Sequence, residues 1–191
     1  MLKIEPNKRV FFTSDLHFNH DKNFIYEPRG FKNVNDMNKQ ILENFKTTLN
    51  WDDILFVLGD NWLGDLDAGF RLFNQIPGKK YLIKGNHDTD ARWEYLGNKA
   101  GNFVLLGEAV TVKVKGFTFY LSHYPTATAN FSDYEKPLHR RLLNISGHTH
   151  SNEKWQKEVP TSYNVCIEAH NLMPVEATTV IEDFKEKYLK E

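Results

Sequence analysis

The chain has 191 residues, 40% of them hydrophobic and 26% charged, which is typical of a globular protein with a single domain, predicted to span residues 1–191. Its 24 Lys and Arg against 25 Asp and Glu give a net charge of -1, which excludes a strong whole-molecule field for nucleic acid or an anionic membrane. The single cysteine, Cys166, excludes an internal disulfide and a thiolate zinc site, and with a polar stretch over residues 1–9 it predicts a cytoplasmic protein.

The first half of the chain alternates predicted strands with predicted helices. Short β-rich runs over residues 10–13, 54–58 and 81–83 each end abruptly in polar residues. Between them, apolar residues recur at helical spacing over residues 35–49 and 66–76. This alternation indicates a domain of the α/β class.

The second half reads as consecutive strands followed by a helix. Runs over residues 103–106, 109–114 and 117–121 lie close together, and Lys115-Gly116 between the last two predicts a tight hairpin turn. Further strands are predicted over residues 142–146 and 163–167. A final amphipathic helix is expected to begin near Thr179, which forms a capping-box pattern with Glu182. Both halves together predict an α/β (α+β) fold, a two-sheet β-sandwich flanked by helices.

Polar clusters come directly after five of the β-type runs. They are Asp15-Leu16-His17, Gly59-Asp60, Gly85-Asn86-His87-Asp88, Ser122-His123 and Gly147-His148-Thr149-His150. Alternate residues of a strand face the same side, so an extended backbone would aim Asp15 and His17 at one place. The same reasoning applies to His148 and His150. Carboxylate, amide and imidazole ligands without thiolate suit Mn, Fe, Ni, Co or Zn ions.

Each cluster by itself also has a purely structural interpretation. Gly85-Asn86-His87-Asp88 has the composition of a turn in which the Asp caps the next segment of the chain, and Asp-x-His or Gly-Asp pairs are common. Gly147-His148-Thr149-His150 is the stronger signal, because two imidazoles at this spacing have few structural uses. Five such elements in order are far more specific than any one.

In this order the elements resemble the calcineurin-like metallophosphoesterase family, in its compact bacterial and phage form, from Phe11 to His150. The resemblance implies a four-layer architecture and a site for two divalent metal ions. One ion would be bound by Asp15, His17 and His150, the other by Asn86, His123 and His148, with Asp60 bridging the two. It also implies that His87 is the catalytic histidine, with Asp88 accepting a hydrogen bond from it or from nearby backbone. One departure is the stretch after Asp60, residues 61–65, which lacks the family's acid at the third position.

The implied activity is hydrolysis of phosphate esters by hydroxide generated at the two ions, with a phosphodiester of nucleotide type as the preferred substrate. Manganese is the metal expected first. A phosphomonoesterase and a nuclease remain alternative enzymes, although the neutral charge does not favour a nucleic-acid partner. A non-catalytic protein-interaction scaffold is a third alternative, which the filled ligand positions disfavour.

Three further residues are candidate substrate contacts. His20 is expected either to reach a substrate phosphate or to hold His17 from behind, and Arg29 is the natural anion contact on the same insertion. Tyr124 adjoins a predicted ligand and is expected to line the pocket. A purely structural role stays open for His20 and Arg29.

Overall fold

A computed structural model describes residues 1–128, 130–132 and 135–189. Ten strands occur in this part of the chain: β1 (Leu2–Lys3), β2 (Val10–Thr13), β3 (Ile54–Leu58), β4 (Lys79–Ile83), β5 (Phe103–Gly107), β6 (Ala109–Val114), β7 (Phe117–Ser122), β8 (Leu142–Ser146), β9 (Ser162–Asn164) and β10 (Val175–Glu176). Five α-helices accompany them: α1 (Asn23–Tyr26), α2 (Val34–Thr48), α3 (Leu66–Phe73), α4 (Asp90–Gly97) and α5 (Ala177–Tyr188). No helix of these described residues is long and apolar enough to cross a membrane.

The strands form two five-stranded sheets. The first has the order β10-β2-β3-β4-β5, in which β2 to β5 are parallel and β10 is antiparallel to β2. The second has the order β1-β6-β7-β8-β9, in which only the β6–β7 pair is antiparallel. That pair is the predicted hairpin, and its turn residues Lys115 and Gly116 both have positive φ.

Two hydrophobic cores explain why the strands of the first sheet are apolar on both faces. Alternate residues such as Phe12 and Phe56 enter a core shared with the second sheet and α5. Their neighbours Phe11 and Leu55 enter a second core formed with α2 and α3. A sheet covered on both faces has nearly continuous apolar strands, as observed here. The predicted two-sheet sandwich flanked by helices is confirmed.

The structure corrects three predicted elements and adds two helices, α1 and α4. The strand expected over residues 163–167 ends at Asn164, whose side-chain oxygen accepts a hydrogen bond from the Cys166 N–H, and a 3-10 helix, Ile167–His170, comes next. The helix expected to reach residue 76 ends at Phe73. The capping box at Thr179 is wrong, because α5 already begins at Ala177 and has no side-chain cap. Helix α4, whose N-cap is Thr89, was not predicted.

Candidate metal centre

The predicted ligands meet at one edge of the sandwich. The parallel strands β2, β3 and β4 of the first sheet and β7 and β8 of the second each end immediately before one of the polar clusters. The carboxyl ends of parallel strands lie at the same edge of a sheet. The topology therefore brings together side chains that are far apart in sequence. The first and last of them, Asp15 and His150, are separated by 135 positions.

The backbone at these residues is not the extended one that the alternation argument assumed. Positive φ angles occur at five of the predicted ligands: Asp15 (59°), His17 (50°), Asp60 (59°), His148 (76°) and His150 (51°). The condition of that argument, an extended backbone, is not met, since each strand ends first and a left-handed turn aims the side chain. Such conformations cost non-glycine residues on the order of 1 kcal/mol each and concentrate at functional sites.

Three nitrogen and oxygen atoms form a first cluster, together with one oxygen of Asp60. The Nε2 atoms of His17 and His150 lie 3.9 and 3.6 Å from Oδ1 of Asp15. Nε2 of His17 is also 3.5 Å from Oδ2 of Asp60. The side chains of Asp15 and His17 are almost completely buried, so water does not compensate their polar atoms.

A second cluster lies on the other side of Asp60. Oδ1 of Asn86 is 2.7 Å from Nε2 of His123 and 3.0 Å from Nδ1 of His148, and those two nitrogens are 3.3 Å apart. Oδ2 of Asp60 is 3.7 Å from Nε2 of His123. The same carboxylate oxygen thus faces both clusters. The seven residues fall into the two groups that the resemblance implied.

Hydrogen bonds on the far side of the imidazoles fix which nitrogen faces the clusters. Nδ1 of His123 is 2.7 Å from the carbonyl oxygen of Leu58, to which only an N–H can donate. In the neutral form of the ring, this hydrogen bond leaves the lone pair at Nε2, as metal binding requires. Nε2 lies 2.7 Å from Oδ1 of Asn86, so a cation or a proton is needed between these two atoms. The donor set fits a divalent metal ion.

Two buried atoms of the first cluster support the same conclusion. Oδ1 of Asp15 and Nε2 of His17 have no hydrogen-bond partner within the described ranges, although both are shielded from solvent. A buried polar atom without a partner costs about 1–3 kcal/mol. Burial also lowers the pKa of His17 well below its ordinary value, which keeps the imidazole neutral, as a metal ligand must be.

Glu168 was not predicted, yet it organises the first cluster from behind. Its Oε1 lies 2.7 Å from Nδ1 of His150 and 2.6 Å from Nη2 of Arg29. Burial would raise the pKa of Glu168, but the hydrogen bond from His150 and the charge of Arg29 lower it to about 2. Burial alone would lower the pKa of His150, but the hydrogen bond to Glu168, together with nearby carboxylate charge, raises the pKa above its ordinary value. A carboxylate that accepts from the far nitrogen of a ligating histidine fixes its ring orientation.

Arg29 has a different place from the one predicted. Its guanidinium is only 1% exposed and donates to Glu168, to the carbonyls of Asp15 and Leu16, and to the sulfur of Met37. All five of its N–H groups have partners, so Arg29 is not a free anion contact. It braces the loop that carries the candidate ligands Asp15 and His17.

His20 lies behind His17, as one of its two expected roles requires. The Nδ1 atoms of the two rings are 3.0 Å apart. Burial, with a smaller contribution from the charge of His87, lowers the pKa of His20 to about 4. A neutral His20 can accept the Nδ1 proton of His17, which leaves the Nε2 lone pair of His17 directed at the cluster.

Asp88 accepts hydrogen bonds from backbone, not from the ring of His87. Its carboxylate accepts from the N–H groups of Asp60 (2.8 Å) and Gly85 (3.0 Å) and from the side chain of Asn61. It therefore joins the loop after β3 to the loop after β4. A Cβ on Gly85 would lie 2.2 Å from Oδ1 of Asp60, so only glycine permits this approach.

The departure from the family pattern after Asp60 is accommodated within the same loop. Asn61 is buried and binds Asp88, and Trp62 pairs through its backbone with Phe18. Asp65 caps the N-terminus of α3 by accepting from the Ala68 N–H. These contacts fix the loop without an acid at the third position.

Two cavities open beside the clusters. One, of about 590 Å³, borders the second cluster and is lined by Asn86, His123 and Tyr124. The ring centre of Tyr124 is 4.6 Å from that of His148. The other, of about 450 Å³, borders the first cluster and contains His87 and His20. Tyr124 is thus beside the site, as predicted, and His87 is exposed at its mouth.

Comparison with known proteins places these features in a family. A curated relative, an uncharacterized protein of Methanocaldococcus jannaschii, is 29% identical over 180 residues, covering 92% of this chain and 90% of the relative. The Gene 66 protein of Mycobacterium phage D29 is 30% identical over 199 residues, covering 93% and 98%. A solved structure of a protein of unknown function from Aquifex aeolicus is 26% identical with a TM-score of 0.67, covering 92% of this chain and 99% of that one. The family model described as the calcineurin-like phosphoesterase superfamily domain matches residues 9–166. This chain belongs to the calcineurin-like phosphoesterase superfamily.

Proposed function

We propose that this protein hydrolyses phosphodiesters with two divalent metal ions, manganese in first place, held by the two clusters that share Asp60. The main supporting observation is the convergence of potential ligand atoms: Oδ1 of Asn86 and Nε2 of His123 lie 2.7 Å apart, and Oδ1 of Asp15 is buried without a partner within the described ranges. Each cluster offers nitrogen and oxygen ligands without thiolate, which suits manganese. Membership of the superfamily supports a phosphoesterase.

When bound, the two ions supply a nucleophile from water near neutral pH and neutralise charge that grows on the phosphoryl oxygens. The water oxygen forms a bond to phosphorus, and the opposite P–O bond breaks. His87 is exposed at the mouth of the site, with its ring centre 5.3 Å from that of His17. Its imidazole is the group in reach of the departing oxygen, to which it gives the proton that the leaving alcohol needs. The backbone N–H of His87 donates to Oδ1 of Asp60, which fixes the main chain at this residue.

The two cavities favour a diester over a monoester. A phosphoryl group held between the clusters has one cavity on each side, of about 590 and 450 Å³. A diester carries two organic arms and fills both, whereas a monoester leaves one empty. This difference supports a phosphodiesterase, with the monoesterase as the alternative enzyme.

The test is hydrolysis of bis-p-nitrophenyl phosphate and p-nitrophenyl phosphate by metal-stripped protein after manganese is restored. Asp60→Asn and His87→Ala test the shared ligand and the proton donor, and Asn suits the positive φ at position 60. His139→Ala is a matched control, because His139 is an exposed histidine on a separate 3-10 helix.

We expect activity only with metal, a higher kcat/KM for the diester, and a loss of at least a hundredfold in both site variants but not in His139→Ala. Turnover unaffected by metal removal would contradict the proposal. Folded, metal-loaded protein without turnover of either ester would favour the scaffold alternative.

A further inference from the structure

An exposed aromatic ring stands at the entrance of the smaller cavity. Phe24, in α1, is 70% exposed, although phenylalanine is normally buried. Its ring meets the edge of the His20 ring, with ring centres 5.7 Å apart and planes at 85°. Beside the proposed site, this ring offers apolar surface that a bound ligand can cover.

The cavity that Phe24 borders is apolar on one part of its surface and catalytic on the other. Ile25 and Pro28 contribute further apolar surface, whereas Asn152 and the Arg29–Glu168 ion pair contribute polar atoms. His17, His87 and His150 line the same cavity. A molecule that enters it therefore contacts the first cluster and the proposed proton donor together.

The position of His87 decides which arm of a substrate enters this cavity. His87 lines the smaller cavity, while the larger one is lined by Asn86 and His123 of the second cluster. The alcohol that departs must lie next to its proton donor. The leaving arm is thus the one beside Phe24, and the retained arm lies beside Tyr124.

We infer that the leaving group of the substrate carries a flat aromatic ring that stacks on Phe24. This inference rests on the proposed function and adds the chemical class of the leaving group. An aromatic side chain offers a stacking face to any planar ring, and such a contact commonly strengthens binding by about tenfold. A cavity of about 450 Å³ has room for one planar ring system and its linker to phosphorus.

The test compares binding of phenylphosphonate and methylphosphonate, which cannot be hydrolysed, to the manganese-loaded protein by calorimetry. Phe24→Ala removes the ring and Phe24→Trp keeps a stacking face. Trp51→Ala is the matched control, because Trp51 is 65% exposed and borders a different cavity. KM and kcat for bis-p-nitrophenyl phosphate are measured for the same variants.

The wild type is expected to bind phenylphosphonate about tenfold more tightly than methylphosphonate. Phe24→Ala should abolish this preference and raise KM with little change in kcat, whereas Phe24→Trp and Trp51→Ala should retain it. Equal binding of both phosphonates by an active wild type, or equal weakening of both in Phe24→Ala, would overturn this inference and leave the proposed function standing. A wild type that binds neither phosphonate and hydrolyses no ester would refute the proposed function, and the inference with it.

Discussion

Glu168→Gln should destabilise the metal-free protein, although Glu168 is not a predicted metal ligand. The carboxylate accepts from Nε and Nη2 of Arg29, and the Arg29 side chain is only 1% exposed. The amide of Gln keeps the shape but removes the charge, so the buried guanidinium loses its only ionised partner within the described residues. Breaking a buried ion pair on one side costs about 3–5 kcal/mol.

The pKa of Glu168 gives an independent magnitude. A fall from its ordinary value of 4.5 to about 2 corresponds, at about 1.4 kcal/mol for each tenfold change in acidity, to roughly 3 kcal/mol in favour of the ionised form. The two values agree. Because the folded-state pKa is lowered, this stability is fully present above pH 4.5 and is lost as the pH falls through about 2.

The measurement is urea unfolding of metal-stripped wild type, Glu168→Gln and the matched control Glu182→Gln, whose carboxylate is exposed on α5. At pH 7 we expect Glu168→Gln to lower the free energy of unfolding by about 3 kcal/mol and the control to change it within error. The gap should close between pH 4.5 and 2. Manganese affinity should fall about 10- to 100-fold through His150. A loss below 1 kcal/mol at pH 7 would refute the account of the Arg29–Glu168–His150 group.

Three further predictions test other parts of the structure. Gly85→Ala should abolish metal binding and retain the fold, because the added Cβ would displace Asp60. The control Gly97→Ala should bind metal normally, and calorimetry measures the binding of both variants. Burial lowers the pKa of Lys80 to about 8. The free energy of unfolding of the wild type, relative to that of Lys80→Met, should therefore rise by about 3 kcal/mol between pH 8 and 10.5. A difference that does not change with pH would contradict this. Burial raises the pKa of the Cys166 thiol, so Ellman's reagent should label it only after unfolding, and rapid native labelling would disprove its burial.

Sequence reasoning could select the candidate ligands because the selection depends on order along the chain, and order is visible without a structure. Asp15, Asp60 and His148 each come after a β-rich run, and parallel strands necessarily bring such positions to one edge. The backbone at these residues was not predictable by alternation, since the strands end before the ligands and left-handed turns take over.

The supporting residues escaped prediction for a different reason. Arg29 and Glu168 are 139 positions apart, and neither lies in a recognisable motif. Only the folded structure shows that the Glu168 carboxylate binds Arg29, which was expected from the sequence to contact an anion. Glu168 directly follows the strand predicted over residues 163–167, and this place at a strand end was the signal available from the sequence.

Manganese titration of metal-stripped protein, followed by electron paramagnetic resonance, can show whether two metal ions share the carboxylate of Asp60. We expect two ions per chain with an exchange-coupled spectrum, because one carboxylate lies between both clusters. Asp60→Asn should lose the coupling. A single ion per chain, or two ions with uncoupled spectra in the wild type, would contradict the account.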